Sequence, residues 1–390
     1  MIQFIDLRAQ YEAIQDKMEE AVLRSLRSGQ YILGPEVDTL ERRLAEFAGV
    51  AHAVSCSSGT DALVMALMAK GVGPGDAVLT VPFTFMASAE AIATVGATPV
   101  FVDVDPVTFN LDTDALDRAI RAFETGDRSL HPLPRLSDDE LAALTLKGII
   151  GVDLFGLPAD YRAVNALAAD HGLFVIEDAA QSFGGSAHNR RAGALAEIAC
   201  TSFFPAKPLG CYGDGGALFT DDAELAELFR SIRVHGQGAD KYENVRMGIT
   251  GRLDAIQAAI LNVKLDVFED EIAERQRVAE TYSRLLAESG LDLVAPTIPD
   301  QHVSAWAQYS VLAKDADSRA LYQRRLADKG VPTAIYYPKP LHLQKAFAPL
   351  GYEAGDFPTS EDLGTRIFSL PMHPYLQEAD IDLIVGAMKG

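Results

Sequence analysis

Short apolar runs alternate with helix-like segments through the first half of this chain, and this alternation constrains the fold more than any other feature. The runs KGIIGVDLF (147–155) and LFVIED (173–178) are almost continuously apolar, and a helical segment at 159–170 separates them. Such runs are typical of strands that a sheet buries on both faces. Strands joined by helices in this rhythm predict an α/β fold with a mostly parallel sheet and right-handed crossovers.

The flanking segments extend this rhythm. Amphipathic helices are predicted at 11–28 and 36–48, with Gly29 as the C-cap of the first. Residues 124–146 contain Pro, Gly and charged residues, so we predict a surface insertion there, with a short helix near 137–144. The other predicted strands are 51–56, 77–81 and 98–105, and the other predicted helices are 60–70, 86–95 and 111–123.

The length of 390 residues is more than one ordinary domain needs. We predict a large α/β domain over residues 1–250, which begins with an N-terminal helical segment. Amphipathic helices over 251–289 connect it to a smaller C-terminal α+β domain over 290–390.

Composition excludes several classes of protein. A net charge of −21 argues against nucleic-acid binding, which needs a basic surface. Cys56, Cys200 and Cys211 have neither metal-ligand nor disulfide spacing, so we expect free thiols and no metal. Asp6 and Arg8 stand where a signal peptide needs an apolar run, and Pro and Glu residues interrupt the longest uncharged stretch. We therefore expect a cytoplasmic protein with no membrane partner.

The densest polar signal lies between residues 173 and 220. Asp178 ends a predicted strand, where open α/β sheets bind ligands, and a carboxylate there can anchor a cationic ring nitrogen. A helix N-cap is the alternative role for Asp178. Lys207 lies between Pro205 and Pro208, ahead of the glycine-rich GCYGDGG. Lysine forms imines with aldehydes when its surroundings deprotonate it, and a plain surface lysine is the alternative.

Two weaker signals precede this region. The turn SSGTD (57–61) joins a predicted strand to a helix, and its free N–H groups and hydroxyls could bind an anion. Harmless helix capping is the alternative there. Phe85, after the next strand, could stack on a planar ring or belong to the core. The patterns of P-loop and dinucleotide-binding proteins are missing from the sequence.

Together these elements describe pyridoxal phosphate (PLP). This cofactor needs a phosphate cradle, an aromatic contact, a carboxylate at its ring nitrogen and a lysine that forms the Schiff base. The candidates for these roles, in the same order, are Ser58, Gly59, Thr60 and Ser202, then Phe85, Asp178 and Lys207.

The sequence also resembles the DegT/DnrJ group of nucleotide-sugar aminotransferases, most closely the WbpE type, which acts on UDP-linked 3-keto sugars. These are fold-type I PLP-dependent transferases, similar to aspartate aminotransferase. The resemblance covers nearly the whole chain and lies in GQYILGPEV (29–37), SSGTDAL (57–63), GVGPGDAVLTVPFTF (71–85), VIEDAAQSFG (175–184), SFFPAKPLGCYGDGGA (202–217), RLDAIQAAIL (252–261), YYPKPLHLQ (336–344) and SLPMHPYL (369–376).

This resemblance implies further roles. Gln181 would contact the ring hydroxyl of PLP. The family forms homodimers with shared active sites, in which the partner chain completes the phosphate clamp. The clamp residue is usually Asn, whereas this chain has Thr250. Relatives with His in place of the lysine catalyse dehydration, so Lys207 favours transamination, with L-glutamate as the amino donor.

The substrate implied is a UDP-linked 3-keto N-acetyl hexose or hexuronic acid, and the product an amino sugar for surface polysaccharide or glycoside biosynthesis. GTDAL is typical of 3-keto enzymes, whereas GTAAL is commoner in 4-keto enzymes. A dTDP- or GDP-linked 3- or 4-keto deoxysugar is the alternative substrate. A PLP-dependent sugar dehydratase and a non-catalytic PLP-binding regulator are the alternative functions.

Four residues are candidates for sugar binding. Arg252 could bind a sugar carboxylate or a diphosphate, or form an ion pair with Asp254 instead. Tyr336 stands where the WbpE type has His, which weakens the hexuronic acid assignment. Tyr337 and His342 are the other two candidates, and an incidental loop His is the alternative for His342.

Overall fold

The structure is a computed structural model that describes residues 2–240 and 242–389, and it contains three β-sheets surrounded by helices. Its strands are β1 (His52–Cys56), β2 (Asp76–Thr80), β3 (Thr98–Phe101), β4 (Thr145–Val152), β5 (Phe174–Asp178), β6 (Ser186–Ala187), β7 (Arg190–Arg191), β8 (Ile198–Ser202), β9 (Gly216–Thr220), β10 (Leu293–Val294), β11 (His302–Val303), β12 (Tyr309–Ala313) and β13 (Ile367–Leu370).

Fourteen α-helices lie in the described part of the chain. They are α1 (Leu7–Ala13), α2 (Gln15–Ser28), α3 (Pro35–Ala48), α4 (Gly59–Ala69), α5 (Ala87–Thr94), α6 (Thr113–Thr125), α7 (Asp138–Ala142), α8 (Tyr161–Asp170), α9 (Ala223–Ile232), α10 (Ala255–Leu265), α11 (Phe268–Ser289), α12 (Ala316–Asp328), α13 (Pro358–Arg366) and α14 (Glu378–Lys389).

The large sheet has seven strands in the order β1-β9-β8-β5-β4-β2-β3. Only β9 runs antiparallel to its neighbours, so the predicted mostly parallel sheet is confirmed. Successive residues of one strand enter different cores: Val175 packs in the cluster that includes residues of α6 and α8, and Ile176 in the cluster that includes residues of α4 and α9. Burial on both faces explains why these strands read as continuous apolar runs.

The N-terminal helical segment is divided into two helices. Ile14, with φ −126°, separates α1 from α2, where the sequence predicted one helix over 11–28. Ile14 itself is buried in the core, so the apolar pattern continues across the break and does not reveal it. Gly29 adopts φ +70° at the end of α2, which confirms it as the C-cap.

The predicted short helix of the 124–146 insertion is α7, which begins with a capping box formed by Ser137 and Glu140. The insertion is only partly at the surface. The buried His131 places its Nε2 2.8 Å from the Phe101 carbonyl oxygen. The Arg135 N–H donates to the Leu350 carbonyl at 2.8 Å. The first contact attaches the insertion to β3 of the large sheet, and the second attaches it to the C-terminal part of the chain.

The C-terminal part contains the antiparallel sheet β10-β12-β13, packed against α11, α12 and α14. The third sheet joins β11 to β6 and β7, so residues 302–303 return to the large α/β part. Gly156, with φ +109°, lies where a Cβ would be 2.5 Å from the Trp306 backbone nitrogen. The domain boundary near residue 290 stays a prediction, because β11 lies beyond it and pairs with the other part.

No helix in the described ranges is long and apolar enough to span a membrane. The cytoplasmic location stays a prediction. Within those ranges, no group of three or more His, Cys, Asp or Glu residues is arranged to hold a metal ion.

Candidate active site

Asp178 is buried at the carboxyl end of β5, beside the end of β4. The Ser88 hydroxyl donates to its Oδ2 at 2.8 Å, and the Ala180 N–H donates to its Oδ1 at 3.2 Å. Burial raises the pKa of Asp178, while these two donors and the positive charge of Lys207 oppose the rise. The three opposing groups favour an ionised carboxylate, which can hold a proton on a cofactor nitrogen.

Lys207 lies in the loop that follows β8, and its side chain is partly buried. The backbone N–H of Lys207 donates to the Phe204 carbonyl at 2.8 Å, and this bond closes a tight turn. At Gly210 a Cβ would lie 2.5 Å from the Pro205 carbonyl oxygen, so the loop requires glycine there. Burial lowers the pKa of Lys207, and the charge of Asp178 opposes that shift. The two predicted residues are therefore electrostatically coupled, and burial favours the neutral amine that a base requires.

The turn between β1 and α4 meets Ser202 at the end of β8. Ser58 caps α4, and its hydroxyl accepts the Asp61 N–H at 3.0 Å. At Gly59 a Cβ would lie 2.6 Å from the Ser202 Cβ, and at Gly216 a Cβ would lie 2.5 Å from the Ser58 carbonyl carbon. The structure thus brings Ser58, Gly59 and Ser202 together, with Thr60 next in α4. A helix N-terminus with adjacent hydroxyls suits a phosphate group.

Gln181 is buried three residues after Asp178. Its Oε1 accepts the Phe155 N–H at 2.8 Å, and its Nε2 lies 3.5 Å from the Tyr337 hydroxyl oxygen. The Tyr337 ring is 6.4 Å from the ring of Phe85, of which 54% is exposed. Burial and the charge of Asp178 both raise the pKa of Tyr337, which keeps its phenol protonated. Gln181, Tyr337 and Phe85 therefore lie around one side of the site.

Thr250 and Arg252 lie next to the turn between β1 and α4, because the carbonyl of Gly251 accepts the backbone N–H of Ser57 at 3.1 Å. The exposed Thr250 places its hydroxyl 2.9 Å from Nε2 of His235. The Nε of Arg252 is buried and has no hydrogen-bond partner among the described residues. This Nε–H is thus available to a ligand, and the choice between sugar binding and an ion pair with Asp254 stays a prediction.

The two other sugar-binding candidates differ in exposure. Tyr336 is partly buried, with its ring 5.7 Å from that of Tyr337. His342 is only 1% exposed, its Nε2 is 3.1 Å from a Glu361 carboxylate oxygen, and its ring stands edge-on to Phe357 at 4.8 Å. The His342 side chain is thus buried against Phe357 and Glu361. Its role in sugar binding stays a prediction.

Two residues of the site were missed at the sequence level: Ser88 donates to Asp178, and Phe155 orients Gln181 through its backbone. Glu177, the strand neighbour of Asp178, instead accepts the N–H groups of Gly193 and Leu195 at 2.7 and 2.8 Å. Burial raises the pKa of Glu177 to about 7. No spacing in the sequence links these residues to their partners; only the position of Ser88 inside VPFTFMAS could have drawn attention to it.

The donor set fits PLP. A Cβ at position 59 would fill the narrow gap beside Ser202, so the glycine leaves the helix N–H groups accessible to a phosphate. Asp178 suits a protonated ring nitrogen, and a partly buried Lys207 near it suits Schiff-base chemistry. This combination at the carboxyl edge of a mostly parallel sheet places the protein among the fold-type I PLP-dependent enzymes.

The chain belongs to the DegT/DnrJ/EryC1/StrS aminotransferase family, whose model matches residues 12–389. It is thus a PLP-dependent aminotransferase, and the family predicted from the sequence is confirmed.

Two curated relatives and one solved structure illustrate the similarity. A Pseudomonas aeruginosa UDP-2-acetamido-2-deoxy-3-oxo-D-glucuronate aminotransferase is 48% identical, over 100% of this chain and 99% of its own. A UDP-N-acetyl-3-dehydro-α-D-glucosamine 3-aminotransferase from Acidithiobacillus ferrooxidans is 39% identical, over 100% of this chain and 97% of its own. The crystal structure of a Brucella abortus family member is 48% identical, covers 100% of this chain and 99% of its own, and superposes with a TM-score of 0.92.

Proposed function

We propose that this enzyme transfers an amino group from L-glutamate to the 3-keto carbon of a UDP-linked N-acetyl hexose or hexuronic acid. The observation that carries the proposal is full-length similarity, at 48% and 39% identity, to two enzymes whose names specify UDP-linked 3-keto N-acetyl sugars. Full-length coverage matters because the proposed site draws on residues between Ser58 and Tyr337.

The protein residues divide the chemical work. Bound PLP supplies an electron-withdrawing ring that stabilises negative charge at the reacting carbon. Asp178 would hold the proton on the ring nitrogen, and Gln181 would bind the ring hydroxyl. Lys207, with its pKa lowered by burial, removes the proton from the glutamate α-carbon as a general base and later returns a proton as a general acid. Ser58, Gly59, Thr60 and Ser202 hold the phosphate.

Arg252 is the proposed anchor of the nucleotide sugar. Arg252 follows Gly251, whose carbonyl accepts a hydrogen bond from Ser57 in the turn between β1 and α4. The buried Nε–H of Arg252 lacks a partner among the described residues. A planar guanidinium can bind either a diphosphate or a sugar carboxylate with two parallel hydrogen bonds. Tyr336 and Tyr337 would form the wall of the sugar pocket next to Phe85.

A homodimer with shared active sites is part of this proposal. Several large apolar side chains are exposed near the site and around Thr250, and burying them would stabilise a dimer. They are Tyr31, Phe85, Phe204, Val245 and Met247. In such a dimer Thr250 would contact the PLP phosphate of the partner subunit.

The test is a substrate screen with the purified holoenzyme. The enzyme is incubated with L-glutamate until the visible spectrum of its cofactor stops changing, and is then mixed with UDP-, dTDP- or GDP-linked 3- and 4-keto sugars. We expect UDP-linked 3-keto N-acetyl sugars to restore the starting spectrum and to yield an amino sugar by mass spectrometry.

Preference for a dTDP-linked or 4-keto sugar would contradict the proposed substrate. Turnover without any amino donor would indicate a dehydratase. A missing reaction with glutamate would indicate another donor or a non-catalytic role. Light scattering of the same preparation distinguishes a dimer from a monomer.

A further inference from the structure

Two buried hydroxyl groups lie behind the carboxylate of Asp178. Thr84 precedes α5 and Ser88 lies in its first turn, and they are 2% and 1% exposed. Oγ of Ser88 is 2.8 Å from Oδ2 of Asp178, and Oγ1 of Thr84 is 3.3 Å from Oγ of Ser88. The three side chains therefore form one continuous hydrogen-bonded chain inside the protein.

The chemistry of the groups sets the direction of this chain. An ionised carboxylate only accepts hydrogen bonds, so Ser88 must donate its single proton to Asp178. Thr84 must then donate to Ser88, whose oxygen has no proton left to give. Each donor strengthens the next acceptor, because hydrogen bonds in series polarise one another in a low-dielectric interior.

We propose that Ser88, supported by Thr84, is a positioning residue of the transamination reaction: it fixes the orientation of the Asp178 carboxylate and stabilises its ionised form. This inference rests on the proposed role of Asp178 at the ring nitrogen. Neither hydroxyl touches the reacting atoms, so both act through Asp178.

The local geometry makes this role specific. Oδ1 of Asp178 already accepts the Ala180 N–H at 3.2 Å, so one donor holds each carboxylate oxygen and the group cannot rotate freely. Thr84 also precedes Phe85, the proposed ring contact. The segment 84–88 thus provides both the proposed aromatic contact with the cofactor and the hydroxyl groups that position Asp178.

Removing Ser88 would leave a buried carboxylate with one donor fewer. Losing one hydrogen bond to a charged group changes an equilibrium constant about tenfold. We therefore expect Ser88→Ala to raise the dissociation constant of PLP about tenfold, and Thr84→Val about threefold.

The experiment titrates PLP into apo-enzyme variants and follows cofactor absorbance. The same holoenzymes are titrated with pH to find the midpoint of their visible spectral change, which depends on the charge at Asp178. We expect Ser88→Ala to move this midpoint, and Thr84→Ser, which keeps the hydroxyl, to behave as the wild type. In the Ser88→Ala background, Thr84→Val should have no further effect, because its only contact with Asp178 passes through Ser88.

A matched control tests whether any buried serine would give this result. Ser360 is also fully buried and donates to a carboxylate, Oδ1 of Asp103, at 2.6 Å. Ser360→Ala should lower thermal stability without changing the affinity for PLP or the spectral midpoint.

The inference would be overturned if Ser88→Ala left the PLP affinity and the spectral midpoint unchanged. It would also be overturned if Thr84→Val had the same effect in the wild type and in the Ser88→Ala background. Asp178→Asn separates this failure from that of the proposed function. If Asp178→Asn changes the midpoint and Ser88→Ala does not, only the inference fails; if neither does, the assigned role of Asp178 fails as well.

Discussion

Gly59 packs so closely on Ser202 that a Cβ at position 59 would lie 2.6 Å from the Ser202 Cβ. Gly59→Ala must therefore displace β8 or the start of α4, and either shift disturbs the phosphate cradle. We expect about a tenfold or greater loss of PLP affinity, since each hydrogen bond to a charged group contributes about 1.5–3 kcal/mol. Equilibrium titration of the apo-enzyme with PLP measures this affinity. Gly73→Ala is the control, because its nearest contact would be at 3.9 Å; equal losses in both variants would refute the explanation.

Lys207→Ala should abolish general acid–base catalysis while leaving the phosphate cradle intact. We expect the single-turnover reaction with glutamate to slow by roughly 10²–10⁴-fold or more, with PLP still bound. Stopped-flow absorbance measures the rate, and the exposed Lys345→Ala should react as the wild type. A Lys207→Ala enzyme that reacts at the wild-type rate would remove this lysine from the mechanism.

Arg252→Lys tests the proposed anchor of the nucleotide sugar. Lysine keeps the charge but loses the planar pair of donors, so we expect kcat/KM for the sugar to fall by about tenfold. The reaction with glutamate should be affected less. Steady-state kinetics with each substrate varied in turn give both values, and Arg162→Lys is the matched surface control. A larger effect on glutamate than on the sugar would assign Arg252 to the donor site.

Lys264 is predicted to destabilise the fold near neutral pH. It is 1% exposed, its Nζ lies 4.3 Å from the centre of the Tyr212 ring, and no hydrogen-bond partner is found for it among the described residues. Burial lowers its pKa from 10.5 to about 8. Between these values the unfolded chain binds more protons than the folded one, so stability rises with pH.

The variant Lys264→Met should thus be more stable at pH 7, by about 3 kcal/mol at most, and its advantage should shrink towards pH 10. Urea denaturation at several pH values tests this. A loss of stability at pH 7 would show that the contact with Tyr212 outweighs the cost of the buried charge.

The sequence predicted the fold well because the strands of the large sheet are buried on both faces and α2, α3, α6 and α11 end at glycines with positive φ. It also identified the residues whose chemistry is distinctive, such as Lys207 and Asp178. It missed Ser88, because a serine has no distinctive pattern and its partner is 90 residues away. The burial of His342 could not be predicted for a related reason: its contacts, Phe357 and Glu361, come from a later segment.

The boundary between the two predicted domains shows the same limit. Helical periodicity indicates a long helix but not which core receives each turn. Phe268 at the start of α11 packs with the large part, and Val278 to Leu286 pack with the C-terminal part. The pairing of β11 with β6 then carries the chain back across the predicted boundary.

The 22-residue helix α11 has a consequence for cooperativity. This one helix supplies side chains to a core of the large part and to the core of the C-terminal part, so unfolding of either core removes packing from the other. The return of β11 to β6 adds a second link between them. We therefore expect heat to unfold the chain in a single transition. A fragment cut near residue 290 would lose packing partners on both sides of the cut and would be less stable than the whole chain.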